Sequence, residues 1–258
     1  MQTRVMATLN GVSLHDVDNR IIIQGIDEAA PSWAPTALSR AGRIGQRYTG
    51  TEKRYRDVTV RFVIRVIGDV EEREKVIQAA AAWAVEGGEL TVNYRTGEKL
   101  NVVCITPPMA TGIGQWATVY QMVFRAYGIP DWVNEVPDGA KARGQSGNVP
   151  IVVSSNGGGK LEAEISNNSG STCNTLSFTA NGQTMAFANL GLQSGQSLAI
   201  SYDDEDIQSI KIGSDSAMAK RTTASADDIW MHGDGNIISY TAECALTWDF
   251  SCRGRWHG

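Results

Sequence analysis

Apolar and polar residues alternate most regularly between Tyr55 and Val66. One face of this segment is apolar and consists of Val58, Val60, Phe62, Ile64 and Val66. The opposite face carries Arg61 and Arg65. Alternation at a period of two is typical of a β-strand with one buried face. We therefore predict a strand over 57–66 whose second face presents two guanidinium groups to water or to acidic groups of a partner, because an unpaired buried charge is very costly.

Helical spacing of apolar residues follows this strand and predicts a helix over about 69–86. Asp69 and Glu72 can form a capping box at its start, and Gly87 with Gly88 ends it. The apolar stripe of this helix consists of Val76, Ile77, Ala80, Trp83 and Ala84. The rest of residues 1–133 shows short alternating runs and turn signals. We predict an α+β, mainly β domain over 1–133, a sandwich or barrel-like sheet with one helix.

The segment 38–56 is polar and rich in arginine, and it is the least regular part of this first domain. It contains a single acidic residue, Glu52, and five arginines, which are Arg40, Arg43, Arg47, Arg54 and Arg56. The prolines of 31–35 are expected to interrupt regular structure just before it. The segment is either a long hairpin or an ordered loop, and a loop of this length in a compact domain usually has a function. We predict that it reaches a neighbouring subunit.

Residues 134–148 are polar and without apolar periodicity, so we predict a linker there. After them come short strands separated by turns, with no helix signal. Asn181-Gly182 between two alternating runs is the clearest hairpin turn in the chain. The longest alternating run is the last one, over 237–250. This pattern predicts an all-β sandwich over 149–258.

Composition and net charge argue against several classes of protein. The chain has 258 residues, a net charge of −5 and a pI of about 5.3, which argues against a protein that grips nucleic acid. No apolar run is long enough for a transmembrane helix, and the N-terminus lacks the apolar core of a secretory signal, so no membrane insertion is expected. The four cysteines are too sparse for a disulfide scaffold and form no CxxC motif. Free thiols in a reducing cytoplasm are the simplest interpretation.

Candidate catalytic and metal-binding groups are few. Asp228 and His232 could bind a metal or serve a hydrolase, but the surrounding glycines favour a polar turn. The acidic run 203–206 lacks the glycine and the spaced final ligand of a calcium loop. No nucleotide-binding or hydrolase motif is present. The sequence therefore indicates a protein that is not an enzyme and that needs no cofactor and no metal.

Tryptophan raises a second possibility, which is carbohydrate binding. Indole faces can stack on sugar rings, and Trp230 and Trp256 lie near turns, whereas Trp116 and Trp248 lie on apolar strand faces. An adhesin that binds sugar through the C-terminal β-sandwich is the alternative to an assembly protein. The arginines of the first domain could instead contact DNA, but in an acidic protein we favour contacts with acidic patches of other subunits.

Over nearly its full length the chain resembles the distal tail protein (Dit) family of phages or prophages with long, non-contractile tails. The resemblance depends on the order of several short motifs. These are Asn10-Gly11, the strand Arg56–Phe62, the helix with Trp83 near its end, the turn Gly87–Leu90, the segment Ala126–Trp132, Gly147–Pro150, Leu192–Ile200, Gly233–Ile237 and the basic, aromatic end Cys252–Trp256.

This resemblance implies a structural hub at the phage tail tip. The N-terminal domains would form a hexameric ring that joins the tail tube to the tail-associated hub protein and leaves a lumen for DNA. The C-terminal domain would be galectin-like and project outward, where receptor-binding proteins can attach. The protein would be assembled in the host cytoplasm and would function in the virion. Subunit contacts in the ring are predicted for Arg40, Arg43, Arg47, Arg61 and Arg65.

Overall fold

The computed structural model describes residues 5–39, 46–66, 68–113, 118–233 and 235–257. Within it the chain divides into two units, Met1–Trp132 and Val133–His257. Strands dominate both units and form antiparallel sheets, so the mainly β class is confirmed. In the described residues no helix is long and apolar enough to cross a membrane.

The part of the first unit that the structure describes is built from strands and two helices. In chain order these are β1 (Ala7–Leu9), β2 (Val12–Ser13), α1 (Leu14–Val17), β3 (Ile21–Glu28), β4 (Ser32–Ser39), β5 (Gln46–Ile64), α2 (Val70–Val85), β6 (Gly88–Val92), β7 (Glu98–Ile113) and β8 (Thr118–Ala126). The strands pair in the order β2-β1-β6-β7-β8-β5-β3, and β4 pairs with β5. The strand predicted over 57–66 is therefore central, with β3 on one side and β8 on the other.

The predicted helix is confirmed as α2. Asp69 accepts a hydrogen bond from the backbone N–H of Glu72 at 2.9 Å, which caps the first turn. The Glu72 carboxylate does not complete a capping box, since it binds Arg20 and Lys75 instead. The buried side of α2 packs on the sheet, where Trp83 meets Phe124 edge to face at 5.9 Å. The sheet thus has one face under the helix and a second face turned away from it. The four-residue helix α1 was not predicted.

The arginine-rich segment forms a long hairpin, which was one of the two predicted alternatives. Strand β4 runs antiparallel to the first half of β5, from Ser32 opposite Tyr55 to Ser39 opposite Gln46. Pro35 lies inside β4, so the expected interruption at 31–35 is wrong. A proline is tolerated there because β4 pairs only with β5 in the described residues, and an edge strand need not donate from every N–H.

In its described residues the second unit is all β apart from one short 3₁₀ turn at Met218–Lys220. Its strands follow β9 (Trp132–Asn134) and are β10 (Asp138–Val152), β11 (Gly159–Ser166), β12 (Leu176–Ala180), β13 (Gln183–Phe187), β14 (Ser197–Tyr202), β15 (Gln208–Ile212), β16 (Asp215–Ser216), β17 (Trp230–Met231), β18 (Gly235–Cys252) and β19 (Arg255–Trp256). They pair in the order β13-β12-β18-β11-β14-β15-β16, with β10 on β18 and β17 on β11. The predicted apolar face of the last strand is confirmed, since Tyr240, Trp248 and Phe250 lie in the core.

The linker predicted over 134–148 is wrong for most of its length. Residues from Asp138 onward form β10, which pairs with β18 over nearly its whole length. Most of the first part of β10 is exposed or half-buried, because this strand has a partner on one side and polar residues on its faces. Polar composition therefore marked an edge strand of the second unit, which begins at Val133.

The turn at Asn181-Gly182 is confirmed and gives a test of backbone conformation. Both residues have positive φ, 51° and 75°, as a type I′ hairpin turn requires. We expect Gly182→Ala to lower the free energy of unfolding by about 1–2 kcal/mol, since a Cβ disfavours this conformation. Gly235→Ala is the control, because Gly235 has open space around it and no positive φ. Urea denaturation measures both; equal effects of the two changes would contradict the assignment.

Candidate assembly surface

The face of the first unit's sheet that α2 does not cover carries Arg61 of β5, and Arg65 follows directly after the end of this strand. Arg61 pairs with Asp27 of β3 at 2.8 Å, and both side chains are about half exposed. Arg65 is exposed and has no ion pair within the described residues. An exposed pair such as Arg61–Asp27 contributes at most about 1 kcal/mol, so a partner's carboxylate can replace Asp27 at little cost. The structure thus leaves Arg65 as the more available of the two guanidinium groups.

A second arginine pair lies on the same face. Arg125 of β8 binds both carboxylate oxygens of Asp57 at 2.6 and 2.7 Å. Its guanidinium also stacks over Tyr55, 3.9 Å from the ring centroid. These contacts hold the pKa of Arg125 above its ordinary value, the hydrogen bond to Asp57 being the main cause. The face is therefore less cationic than the sequence predicted, since most of its arginines have acidic neighbours in their own chain.

Exposed apolar side chains of β7 border these arginines and were not predicted. Val103, Ile105 and Met109 are 46%, 38% and 50% exposed. Val103 lies opposite Arg125 of β8. Met109 lies opposite Gln121 of β8, and on the other side of β8 Gln121 lies opposite Arg61 of β5. The cross-strand register places Arg61, Val103 and Met109 on one face of the sheet. Together with the exposed neighbours Ile105 and Arg65, these residues make up a surface that we call the outer sheet face. Apolar side chains that are exposed together on one sheet face can mark an interaction surface.

The sequence contained a signal for this patch. In the run that became β7, apolar residues occupy both alternating positions, Leu100 and Val102 on one side and Val103 and Ile105 on the other. A strand that is apolar on both sides is typical of one buried on both faces. Within the chain only Leu100 and Val102 are buried. The second side would be buried by a partner.

The remaining predicted interface arginines cannot be placed on this surface. Arg40 and Arg43 lie outside the described residues. Arg47 lies in β5 opposite Leu38 of β4, near the far end of the hairpin. Its involvement in a subunit contact stays a prediction, as it does for Arg40 and Arg43.

A buried charge cluster lies on the opposite face of β5. Arg56 is only 1% exposed and lies 3.8 Å from Glu28 and 3.6 Å from Asp131. Asp131 also binds Lys53 at 2.7 Å, and Glu28 also binds Arg95 at 2.9 Å. Burial lowers the pKa of Arg56, while the two carboxylates act in the opposite direction. The cluster joins β3, β5 and the end of the unit, and it stabilises the unit only while its charges compensate one another.

Glu28 makes the cluster sensitive to acid. Burial acts to raise its pKa, but hydrogen bonds from Arg95, Tyr94 and Trp132 hold it below the ordinary value of 4.5. A carboxyl group with a lowered pKa stabilises the folded state fully above its unfolded-state pKa and loses that effect as pH falls through the folded-state pKa. We expect the difference in unfolding free energy between the wild type and Glu28→Gln to be constant at neutral pH and to shrink as pH falls below about 4.5.

Urea denaturation at several pH values measures this difference. Subtracting the Glu28→Gln curve removes the contributions of other acids with lowered pKa, such as Asp18 and Glu72. A difference that stays the same from neutral pH to well below 4.5 would contradict the assigned role of Glu28.

The hydrolase alternative finds no support in the geometry. Asp228 binds Lys160 at 3.1 Å, and Lys160 also binds Asp206 at 3.0 Å. His232 is exposed, and its backbone N–H donates to Asn236. Nowhere in the described ranges do three or more His, Cys, Asp or Glu side chains come together to hold a metal. Lys160, and not an imidazole, is therefore the neighbour of Asp228.

The two tryptophans proposed for sugar binding are engaged within the second unit. The Arg255 guanidinium lies over the Trp230 ring at 5.0 Å, and Arg255 is fixed by Asp206 at 2.6 Å. Trp256 donates from its indole to Asn134 at 2.8 Å, and both indoles are half-buried. A sugar ring would have to displace Arg255 from one face of Trp230. Sugar binding through these residues stays a prediction.

Comparison with known proteins adds information on the fold. No family model and no curated protein matches the sequence. Among solved structures, the chain is similar to the crystal structure of the SPP1 Dit (gp 19.1) protein, described as a paradigm of the hub adsorption apparatus in phages that infect Gram-positive bacteria. The match has a TM-score of 0.68 at 12% identity and covers 97% of this chain and 99% of that one.

A chain of the phage P2 baseplate, in its activated conformation with Ca, gives a TM-score of 0.49 at 7% identity, too low to support an argument. The likeness to SPP1 Dit extends over both units. At 12% sequence identity, this likeness shows the fold alone. From its first strand to its last, this chain has the fold of a phage Dit hub protein.

Proposed function

We propose that this protein is a structural hub of the tail tip of a phage with a long, non-contractile tail. The observation that carries the proposal is the full-length match to the SPP1 Dit fold. In this role the first units form a hexameric ring that joins the tail tube to the tail-associated hub protein and leaves a lumen for DNA. The role is structural, so it requires no catalytic residue, cofactor or metal.

The surfaces of the first unit support a ring. A ring is built from heterologous contacts, in which two different surfaces of each copy meet. The outer sheet face is one candidate, because it combines exposed Val103, Ile105 and Met109 with Arg61 and Arg65. Apolar side chains with arginine at their border are the composition that protein interfaces favour. The acid that meets Arg65 would belong to a different surface of the next copy.

The hairpin of β4 and β5 supports contact with a neighbour as well. The part of β5 from Gln46 to Tyr55 pairs with β4, whereas the part from Arg56 onward pairs with β8. A two-stranded ribbon alone is marginally stable in water. Packing against another subunit would stabilise it, and its basic composition favours an acidic partner surface.

Net charge supports passage of DNA without specific binding. A chain with a charge of −5 does not present the basic surface that phosphate neutralisation requires. Partners of the ring would be the tail tube protein on one side and the tail-associated hub protein on the other. Receptor-binding proteins would attach to the second unit, for which a galectin-like fold stays a prediction. The site of action would be the virion, after assembly in the host cytoplasm.

The outer sheet face can be tested by charge reversal. We expect Arg65→Glu to weaken self-association at least about tenfold, because it places a carboxylate where a partner's acid is expected and like charges across an interface cost several kcal/mol. Lys220→Glu is the matched control, an exposed lysine of the second unit with the same change in charge. Sedimentation equilibrium measures the association constants. Equal weakening by both variants would assign the effect to net charge and contradict the role of Arg65.

A further inference from the structure

Two thiols lie together in the core of the second unit. Cys173 is fully buried, and Cys244 is half-buried and packs against the same apolar core. Both are free thiols in the structure. The strand pattern of the sequence places Cys244 on the core face of β18 but gives no sign of its neighbour, since Cys173 lies outside any regular strand.

The pairing of β12 with β18 brings the two cysteines together. Leu176 lies opposite Ala242 at the start of β12. The pairing continues beyond β12, because the backbone N–H of Glu243 donates to the carbonyl of Thr175 at 3.0 Å. The backbone N–H of Asn174 then donates to the Glu243 carboxylate at 2.8 Å. The chain that arrives at Cys173 therefore runs alongside Cys244.

Shared neighbours locate the two sulfurs more closely. The Cys244 Sγ lies 3.9 Å from Oδ1 of Asn167, a fully buried side chain. Nδ2 of the same Asn167 donates to the carbonyl of Leu192, which also accepts from the backbone N–H of Cys173. Burial raises the pKa of the Cys173 thiol, and a hydrogen bond with the Cys244 thiol raises it further. The two thiols are thus close neighbours in the core of the second unit.

We propose that Cys173 and Cys244 are a dithiol that closes into a disulfide under oxidising conditions. Cys244 is the entry point, because it is the more exposed of the two. The inference rests on the second unit alone and is independent of the proposed role in a tail tip. The other two cysteines lack such a neighbour: Cys104 belongs to the first unit, and Cys252 is buried at the end of β18.

With oxidised glutathione as the oxidant, the reaction balances in two exchange steps. The Cys244 thiolate attacks one sulfur of oxidised glutathione, and one glutathione thiolate leaves. The Cys173 sulfur then attacks the Cys244 sulfur of the mixed disulfide, and the second glutathione leaves. The protein gives up two electrons and two protons, and one oxidised glutathione becomes two reduced molecules. No other reagent is needed.

The test uses the full-length protein incubated with excess oxidised glutathione in mildly alkaline buffer. Free thiols are then blocked, and the protein is unfolded, digested and analysed by mass spectrometry. We expect free thiols to fall from four to two per chain, with one bond between the peptides of Cys173 and Cys244. Four thiols that remain free, a stable glutathione adduct on Cys244 or a bond between other cysteines would overturn the proposal.

Variants check the assignment. Cys104→Ser should still lose two thiols, whereas Cys244→Ala should retain all three of its thiols under the same treatment. Closing the long loop between Cys173 and Cys244 should also raise the melting temperature of the oxidised wild type and leave that of Cys244→Ala unchanged. If Cys244→Ala does not fold, the peptide map of the wild type decides alone.

Discussion

Replacing Arg56 by alanine is expected to lower the free energy of unfolding by about 3–5 kcal/mol, because the change removes a cation buried between two carboxylates. Arg56 is 1% exposed and lies within 4 Å of both Glu28 and Asp131. The substitution leaves these carboxylates with fewer compensating charges, and it leaves a cavity where the arginine stem packed. Urea denaturation followed by far-UV circular dichroism measures the loss.

Two further variants separate charge from packing. Arg54→Ala removes an exposed arginine of the same strand and is expected to change stability by at most about 0.5 kcal/mol. Arg56→Met fills the space without a charge, and Lys53 and Arg95 remain to compensate the carboxylates. We expect Arg56→Met to recover at least about half of the loss, since an apolar residue of similar volume can replace a buried ion pair. An Arg56→Ala protein as stable as Arg54→Ala would contradict the buried cluster.

The second large effect is expected at Trp248, the largest side chain in the core of the second unit. Trp248 is fully buried, stacks near Tyr240 and Phe250 at 4.8 and 5.9 Å, and donates from its indole to the carbonyl of Gly144 at 3.1 Å. We expect Trp248→Ala to cost about 3–5 kcal/mol, as deletion of a buried aromatic ring usually does. Denaturation followed by circular dichroism measures it, since the change also removes a fluorophore.

The indole hydrogen bond of Trp248 makes a separate contribution to the free energy of unfolding. Trp248→Phe keeps an aromatic ring but leaves the Gly144 carbonyl without its indole donor, so we expect it to cost about 1–3 kcal/mol. Ile237→Ala changes an exposed residue of the same strand and should stay within about 0.5 kcal/mol. If Trp248→Ala were no more damaging than Ile237→Ala, the core of the second unit would be wrongly assigned.

The elements that could be predicted are those whose sequence pattern is regular and contained in one short stretch of the chain. The strand through Val58 and Phe62 alternates over ten residues, and α2 carries a cap, an apolar stripe and a glycine stop. The turn at Asn181-Gly182 can be predicted from these two residues alone, because both adopt positive φ. Each of these signals is read within one window of the chain, so no knowledge of distant partners is needed.

Elements that depend on distant partners were missed. Strand β10 is polar because it lies at an edge of the sheet. It forms a strand because it pairs with β18, which lies about 100 residues later in the chain. Strand β7 continues through Pro107-Pro108, because its register with β8 shifts at Thr106 and Met109 and an irregular ladder tolerates prolines. Composition alone cannot reveal either pairing.

The candidate surface was predictable only in part. The alternation of β5 placed Arg61 on the face opposite the buried Val60 and Phe62. It could not show that Asp27 of β3 pairs with Arg61, because that contact depends on the register between two strands. The burial of Arg56 could have been predicted, because it lies two positions before Val58 and therefore on the same, buried face of the strand. The exposed side of β7 was visible as well, in the adjacent apolar residues Val103 and Ile105.

The proposed function requires that copies of the first unit close into a ring. Electron microscopy of the purified full-length protein at high concentration tests it most directly, because it shows symmetry and the central opening together. We expect particles with six copies around an axis and an open centre wide enough for duplex DNA, and we expect Arg65→Glu to deplete them. Particles that remain single copies at every concentration, or assemblies without a central opening, would contradict it.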